Sequence, residues 1–292
     1  MARKIKNIVI VGADIRQKHL FSALKKEGYK CSLFSNFKDF DKDEFYYFTE
    51  KCDVLILPLP ASNVDGFLNC NFENGLKIKI GEILLHLNRG CTLIGNKFSD
   101  ENKYICKAKK IRYIDIYADN DFVDANTIIS AEGALFVLMS ELEIMLRDAT
   151  VGIVGYGRLG SAIAKLLLQF ETRVCVMARR QDSLDEAAAV GCDTSLIEKN
   201  TNTYKLTMPD CKLDAVFNTV EYPLFVKDTV KPSNGEPLYF ELASGKGGFS
   251  DEFPENEQKR IIRPGSLPLK YAPKTAAELY AKCIIKILEK GG

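Results

Sequence analysis

The chain has 292 residues, 46% of them hydrophobic, which is enough apolar material for two ordinary domains with a core each. Its 40 Lys and Arg against 39 Asp and Glu leave a net charge of +1, which argues against nucleic acid or an anionic membrane surface as the main partner. The two histidines, His19 and His86, are too few for a His-rich zinc site, so no metal is expected; His-centred catalysis is disfavoured, and carboxylates, Lys, Arg, hydroxyls or a cofactor are left to carry any chemistry.

The N-terminal run Lys6–Val11 is β-branched and ends in Gly12, as a buried parallel strand does. Arg16–Glu27 follows with apolar residues at helical spacing and Gly28 as its stop. Lys30–Phe34, Asp53–Leu57 and Cys91–Ile94 read as further strands, with helices at Ile80–Leu87 and Asn102–Lys109. This alternation predicts a parallel sheet covered on both faces, in a first unit spanning 1–130 that is expected to bind substrate. Ala131–Arg147 reads as a connector helix, within a linking segment 131–149. A second strand–helix series occupies 150–272, with strands at Val151–Val154, Arg173–Ala178, Ala215–Asn218 and Pro237–Leu242. The last helix, Lys274–Lys290, is amphipathic and is expected to return, within 273–292, toward the first unit. The predicted class is α/β: two Rossmann-like, doubly wound parallel-sheet domains facing a cleft.

Nine cysteines (31, 52, 70, 91, 106, 175, 192, 211 and 283) are scattered without a C-x-x-C pair, the pattern of packed, reduced thiols. The N-terminus lacks the shape of a signal peptide, and no apolar run is expected to span a membrane. The expectation is a soluble, cytoplasmic protein.

The sharpest local signal is Gly155-Tyr156-Gly157-Arg158-Leu159-Gly160, placed between a strand and a helix. That context gives a G-x-G-x-x-G its specificity. Gly155 allows the tight turn, Gly157 lets the backbone approach a pyrophosphate, and Gly160 lets helix and strand pack closely, with the helix N-terminus facing the phosphates. A glycine turn without ligand is the plainer alternative. An NAD site usually carries an acidic residue about 20 residues further on. Here the strand ends Ala178-Arg179-Arg180, and two arginines suit the 2′-phosphate of NADP, unless they form only a solvated turn. Asn218 and Thr219 end a later strand, where polar side chains line a nicotinamide ribose, although Asn218 also suits a loop cap.

Parallel sheets bind ligands beyond the carboxyl ends of their strands. In the first unit this selects Asp14 and Arg16 and the segment Pro58–Ser62. Arg16 could fork onto a carboxylate while Asp14 orients it or accepts a proton; a surface capping pair is equally consistent. The second unit offers the loop Ala243–Gly248, with Ser244 and one cation, Lys246, but without the spacing of a phosphate-binding Walker loop. Lys274 follows a rigid Ala-Pro turn that opens the last helix. Glu132 is expected at the N-terminus of the connector helix, facing the cleft, with simple capping as its alternative. His19 and His86 lie on predicted helices, away from these loops.

Several of these segments together resemble the A subunit of dipicolinate synthase, a spore-forming bacterial enzyme. They are Val11-Gly12-Ala13-Asp14-Ile15-Arg16-Gln17, Leu57-Pro58, Ala131-Glu132-Gly133, the glycine fingerprint, Ala178-Arg179, Asn218-Thr219, Leu242-Ala243-Ser244 with Gly247-Gly248, and Ala272–Ala276, in family order across nearly the whole chain. The sequence departs from the family pattern at Gly245-Lys246, where Arg-Pro is expected, and at Leu267–Tyr271, which replaces a Gly-rich stretch. The resemblance implies oxidation of dihydrodipicolinate to dipicolinate, a small dicarboxylate, with hydride transfer to NADP. It also implies partnership with a flavoprotein-like B subunit, in the mother-cell cytoplasm during sporulation; a homo-oligomer stays open. On this basis Arg16 and Lys246, with Lys274 as a third cation, are assigned to the carboxylates, Ser62 and Ser244 to orientation, and Glu132 or Asp14 to proton acceptance. Two alternatives remain. One is a dehydrogenase of the 2-hydroxyacid or alanine type, which needs a placed catalytic His; the other is a non-catalytic NADP-sensing subunit.

Overall fold

Short apolar runs rich in β-branched residues are buried on both faces of a parallel sheet, and the computed structural model shows two sheets whose central strands are built this way. It describes residues 7–35, 37–63, 65–72, 75–199, 203–229 and 231–291. The chain divides into two units, Met1–Asn126 with Pro273–Gly292, and Thr127–Ala272.

The first unit runs β1 (Asn7–Val11), α1 (Ile15–Lys26), β2 (Lys30–Phe34), α2 (Lys42–Lys51), β3 (Val54–Ile56), α3 (Ile80–His86), β4 (Thr92–Gly95), α4 (Asp100–Lys109) and β5 (Arg112–Asp115). All strand pairs are parallel, in the order β2-β1-β3-β4-β5. Side chains alternate between faces, as the strand period requires. Val9, Val11, Leu55 and Leu93 pack on Phe45, Ile83 and Leu84, whereas Ile8, Ile10, Val54 and Ile56 pack on Leu20 and Leu24 of α1 and on Tyr280, Ile284 and Leu288 from the end of the chain. The predicted strands are present to within a residue or two, and Lys6, predicted to open β1, lies outside the described residues.

Two elements here were not predicted. The α2 sequence is dominated by aromatic residues of modest helix preference, and its signal is local: Asp41 accepts from the backbone of Asp43 and Glu44, each at 2.9 Å. β5 is an edge strand whose half-exposed Arg112–Asp115 carries little apolar patterning.

A long helix, α5 (Asn120–Glu141), links the series and carries the boundary between the units within it. The expected connector at Ala131–Arg147 is thus displaced. The Asp119 carboxylate caps the helix by accepting from Phe122 N at 3.0 Å, and the helix ends at Glu141, before a short 3₁₀ turn at Leu146–Asp148. By length and composition α5 could cross a membrane, contrary to expectation, but Ala131, Ala134, Leu135 and Leu138 bury its apolar face in the second core.

The second unit continues with β6 (Thr150–Val154), α6 (Arg158–Gln169), β7 (Arg173–Ala178), α7 (Gln181–Ala189), β8 (Asp193–Leu196) and a separate antiparallel hairpin of β9 (Glu198–Lys199) and β10 (Tyr204–Lys205). Then come β11 (Ala215–Asn218), β12 (Leu238–Glu241), α8 (Glu255–Gln258), β13 (Ile261–Ile262) and α9 (Leu267–Tyr271). Its parallel sheet has the order β13-β12-β11-β6-β7-β8. Counted from β6, this is the 3-2-1-4-5-6 order of a dinucleotide-binding domain, with its reversal between β6 and β11. One face packs on α5, α6 and α7, and the other on an aromatic cluster around Phe225, Tyr239 and Phe253. The final helix, α10 (Pro273–Gly291), belongs to the first unit and packs on α1.

Candidate functional site

The β6–α6 turn shows why each glycine of the fingerprint is there. Gly155 has φ +95°, and a Cβ on it would lie 2.5 Å from Thr219 Oγ1. At Gly160 a Cβ would meet the carbonyl oxygen of Gly155 at 2.1 Å, so helix and strand approach as closely as backbone allows. Gly157 is different. It is the N-cap of α6 with an extended backbone at φ −87°, and a Cβ there would meet nothing within 4 Å. The protein's own packing accounts for Gly155 and Gly160 but not for Gly157, where the small residue leaves the helix N-terminus open from outside. Gly157 itself supplies no side-chain cap to α6, and a helix N-terminus favours an anion beside it. A pyrophosphate fits that opening.

A cavity of about 650 Å³ extends from this turn. Gly155, Tyr156, Gly157, Arg158 and Leu159 line one side, Ala178, Arg179 and Arg180 another, and Thr219 a third. Thr219 Oγ1 donates to Val154 O at 3.0 Å, which ties the end of β11 to the glycine turn across the reversal of strand order. The sequence-predicted cofactor residues therefore meet at one place, with two exceptions. Gly160 acts from below through packing, and Asn218 is turned inward. Its fully buried amide donates to Val220 O at 3.0 Å and to Glu241 Oε1 at 2.8 Å and accepts from Val220 N at 3.2 Å. Asn218 is thus engaged within its own loop, and of the two residues only Thr219 lines the cavity.

The partner, Glu241, was missed because nothing in its local sequence marks it. It also accepts from Ala243 N at 2.9 Å and Gly248 N at 2.7 Å, and so folds the loop that carries Ser244 and Lys246. A Cβ at Gly247 would meet Glu241 Oε2 at 2.5 Å, and one at Gly248 would meet the Asn218 amide at 2.3 Å. These two glycines answer to internal packing rather than to a phosphate. Ser244 and Lys246 are exposed on the loop's outer side.

At the end of β7 the two arginines have different settings. Arg180 Nη2 donates to Ser183 Oγ at 3.0 Å, and Ser183 is otherwise buried in α7. The Arg179 guanidinium lies 5.8 Å from the centre of the Tyr204 ring. Ser183, Tyr204, Glu221 and Tyr222 also line the cavity, and the sequence reading did not single them out. They come from α7, the hairpin and the β11 loop, a juxtaposition that only the fold creates.

In the first unit, Asp14 and Arg16 are joined directly. Asp14 caps α1 by accepting from Arg16 N at 2.8 Å, and the Arg16 guanidinium donates to both carboxylate oxygens, from Nη2 at 2.7 Å and from Nε at 3.2 Å. Nη2 also donates to the carbonyl oxygen of Leu59, beyond β3. The buried Gln17 amide, set with its nitrogen toward Asp14, reaches its Oδ1 at 2.6 Å. The Tyr280 ring lies 6.0 Å from the guanidinium carbon, and its hydroxyl donates to Leu57 O at 3.4 Å. Burial raises the Tyr117 hydroxyl above its ordinary range, opposed by the charge of Arg16. Burial, reinforced by Asp14, pushes the Cys70 thiol up to about 12. The cluster is thus a charged pair, largely enclosed, at the carboxyl ends of β1 and β3. Tyr117 and Tyr280 join it without any marker in the sequence, while Gln17 closes the motif that carries Asp14 and Arg16. Ser62 lies in the segment after β3, half-buried and bridged to Leu68.

The remaining predicted residues have other settings. Glu132 sits well inside α5 and is exposed, so the helix-terminus argument made for it does not hold. Lys274 stands in the first turn of α10, 88% exposed, with Glu278 at 4.0 Å. His19 is exposed on α1; His86 stacks on Tyr46 at 3.9 Å and pairs with Glu50 at 3.1 Å, a surface arrangement. Among the described residues no cluster of His, Cys, Asp and Glu could hold a metal ion.

Comparison with known proteins agrees with this division. Residues 7–117 match the family of N-terminal domains of the dipicolinate synthase A subunit, and residues 132–203 match the NAD-binding domain of D-isomer specific 2-hydroxyacid dehydrogenases. The A subunit of dipicolinate synthase from Bacillus subtilis strain 168 is 24% identical, with 96% of this chain and 95% of that protein aligned. The crystal structure of the A subunit of dipicolinate synthase from Bacillus halodurans superposes with a TM-score of 0.80 at 22% identity, over 97% of this chain and 98% of that one. The crystal structure of the corresponding Bacillus subtilis protein gives 0.77 at 20% identity, over 99% and 97%. The match within the second unit is to a dehydrogenase-type NAD-binding domain and supports a nicotinamide cofactor there, and the likeness to the dipicolinate synthase A subunit extends over both units of the chain.

Proposed function

We propose that this chain is an NADP-dependent dehydrogenase that oxidises dihydrodipicolinate to dipicolinate, working with a flavoprotein-like B subunit in the mother-cell cytoplasm of a sporulating bacterium. The observation that carries the reading is the joint one. A likeness to the A subunit of dipicolinate synthase spans the chain, and the glycine turn leaves its open space at Gly157, where a dinucleotide needs it. The absence of an acid on Ala178-Arg179-Arg180 at the end of β7, with two arginines in its place, supports NADP over NAD.

A bound nicotinamide supplies a hydride acceptor. The protein's own residues hold the dicarboxylate, orient it and take up a proton. Arg16 is the anchor best supported by geometry. Asp14 and Leu59 O hold its Nε and Nη2, which fixes the guanidinium and assigns Nη1 to a substrate carboxylate. Lys246 and Lys274 are the further cations, and Ser62 and Ser244 the orienting hydroxyls. Asp14 positions the Arg16 side chain through its hydrogen bonds, and Glu132 or Asp14 takes up the proton. Aromatisation of the ring drives the reaction, so weak acid–base assistance suffices.

The test mixes the protein, NADP and dihydrodipicolinate generated in situ, with and without the B subunit, and follows dipicolinate by ultraviolet absorbance. Product formed at the expense of NADP supports the reading. No product even with the B subunit present refutes it.

A further inference from the structure

The β9–β10 hairpin pairs with neither parallel sheet, yet it places one side chain, Tyr204, in the wall of the dinucleotide cavity. Tyr204 is half-buried. Its ring meets Tyr222 edge to face, with centroids 5.4 Å apart and planes at 89°, and carries the Arg179 guanidinium at 5.8 Å. Ile197 and Leu224 add apolar surface to the same cavity. A rigid aromatic ring, braced by a second ring and set beside the second strand end of a dinucleotide fold, is what the flat, apolar part of a nucleotide requires. Arg180 is fixed separately, by Ser183 from α7.

We propose that Tyr204, with Tyr222 behind it, is the stacking wall for the adenine base, and that Arg180 with Ser183 alone selects the 2′-phosphate. The hairpin and α7 then divide the work: the hairpin sets affinity for any adenine dinucleotide, and α7 sets the preference between NADP and NAD. This rests on the cofactor reading above and assigns particular residues to it.

The test is calorimetric titration of the full chain with NADP, NAD and AMP. Base stacking on an aromatic side chain sets the expected scale, a loss of roughly tenfold or more for each ligand in Tyr204→Leu, with Tyr204→Phe within about twofold of wild type. The NADP-to-NAD ratio stays unchanged in both. In Ser183→Ala and Arg180→Gln the expectation reverses: NADP weakens by about tenfold while NAD and AMP hold their affinity. Equal AMP affinity in Tyr204→Leu and Tyr204→Phe overturns the stacking role, and a fall in the NADP-to-NAD ratio in Tyr204→Leu overturns the division of labour. If Tyr204→Leu loses its fold by circular dichroism, the wild-type protein decides the question. Bound AMP must shift the ring resonances of Tyr204, identified by their disappearance in Tyr204→Phe, and an absence of shift overturns the proposal. Wild-type protein that binds neither NADP nor NAD refutes the cofactor reading itself, an outcome separate from a failure of Tyr204 alone.

Discussion

The fingerprint glycines make opposite predictions for stability and for binding, so they separate a ligand site from a structural turn. Gly160→Ala puts a Cβ 2.1 Å from the Gly155 carbonyl oxygen, about an ångström inside any tolerated contact, and the opposing atom is backbone that cannot rotate away. Overpacking of this kind costs about 1–3 kcal/mol. For a unit of this size that lowers the melting temperature by roughly 2–4 °C per kcal/mol. Gly157→Ser meets nothing within 4 Å, its φ of −87° suits any residue, and serine is a preferred N-cap. The apo variant should melt at or slightly above the wild-type temperature. Its hydroxymethyl group nevertheless fills the space assigned to the pyrophosphate. A steric conflict of about 1–3 kcal/mol there weakens dinucleotide binding by roughly 5- to 150-fold. Melting followed by circular dichroism, paired with calorimetric titration of NADP, measures both effects. Wild-type NADP affinity in Gly157→Ser would show that the pyrophosphate does not lie over that residue. An unshifted melting temperature in Gly160→Ala would show that the close helix–strand approach is not limiting.

Three further outcomes follow from the same geometry. Glu241→Ala leaves two backbone N–H groups and the buried Asn218 amide without their acceptor, and should destabilise the second unit by about 1–3 kcal/mol for each buried group stranded, read from chemical denaturation, with Glu241→Gln losing less. Asp119 is held below the ordinary carboxylate value, first by Phe122 N at the α5 cap and then by Lys286, so its stabilising contribution is complete above pH ~4 and fades as the pH falls through its lowered value. In Asp119→Asn the acid side of the stability curve should therefore flatten below pH ~4, and an unchanged slope in acid denaturation would contradict the cap. Arg180→Asp sets a carboxylate beside the assigned 2′-phosphate and should abolish the preference for NADP over NAD; comparable wild-type affinities for the two would refute the strand-end argument.

Much of the fold was legible because it rests on local patterns. The β-branched runs at Asn7–Val11, Thr150–Val154 and Arg173–Ala178 mark buried parallel strands, and the spacing of Gly155, Gly157 and Gly160 marks the turn after one of them. What escaped were elements without such patterning. The α2 helix and the edge strand β5 have no strong apolar period, and α5 begins eleven residues before the predicted connector because its start signal, Asp119, is a single cap. That shift moved Glu132 from a helix terminus to a helix interior and removed the reason first given for its role.

The sequence by itself determined the class of each unit and the position of the dinucleotide turn, because alternating strand and helix periods and a glycine fingerprint are short-range properties of the chain. Only the tertiary structure decided which side chains meet there. Asn218 and Thr219 are neighbours in sequence, yet Asn218 is spent on Glu241, twenty-three residues away, while its neighbour lines the cavity. Arg179 meets Tyr204, and Arg16 meets Leu59 and Tyr280, across separations that no local pattern records. The physical reason is that hydrogen bonds and ring contacts depend on where strands end and helices cross. That geometry is fixed only when each sheet closes its two cores.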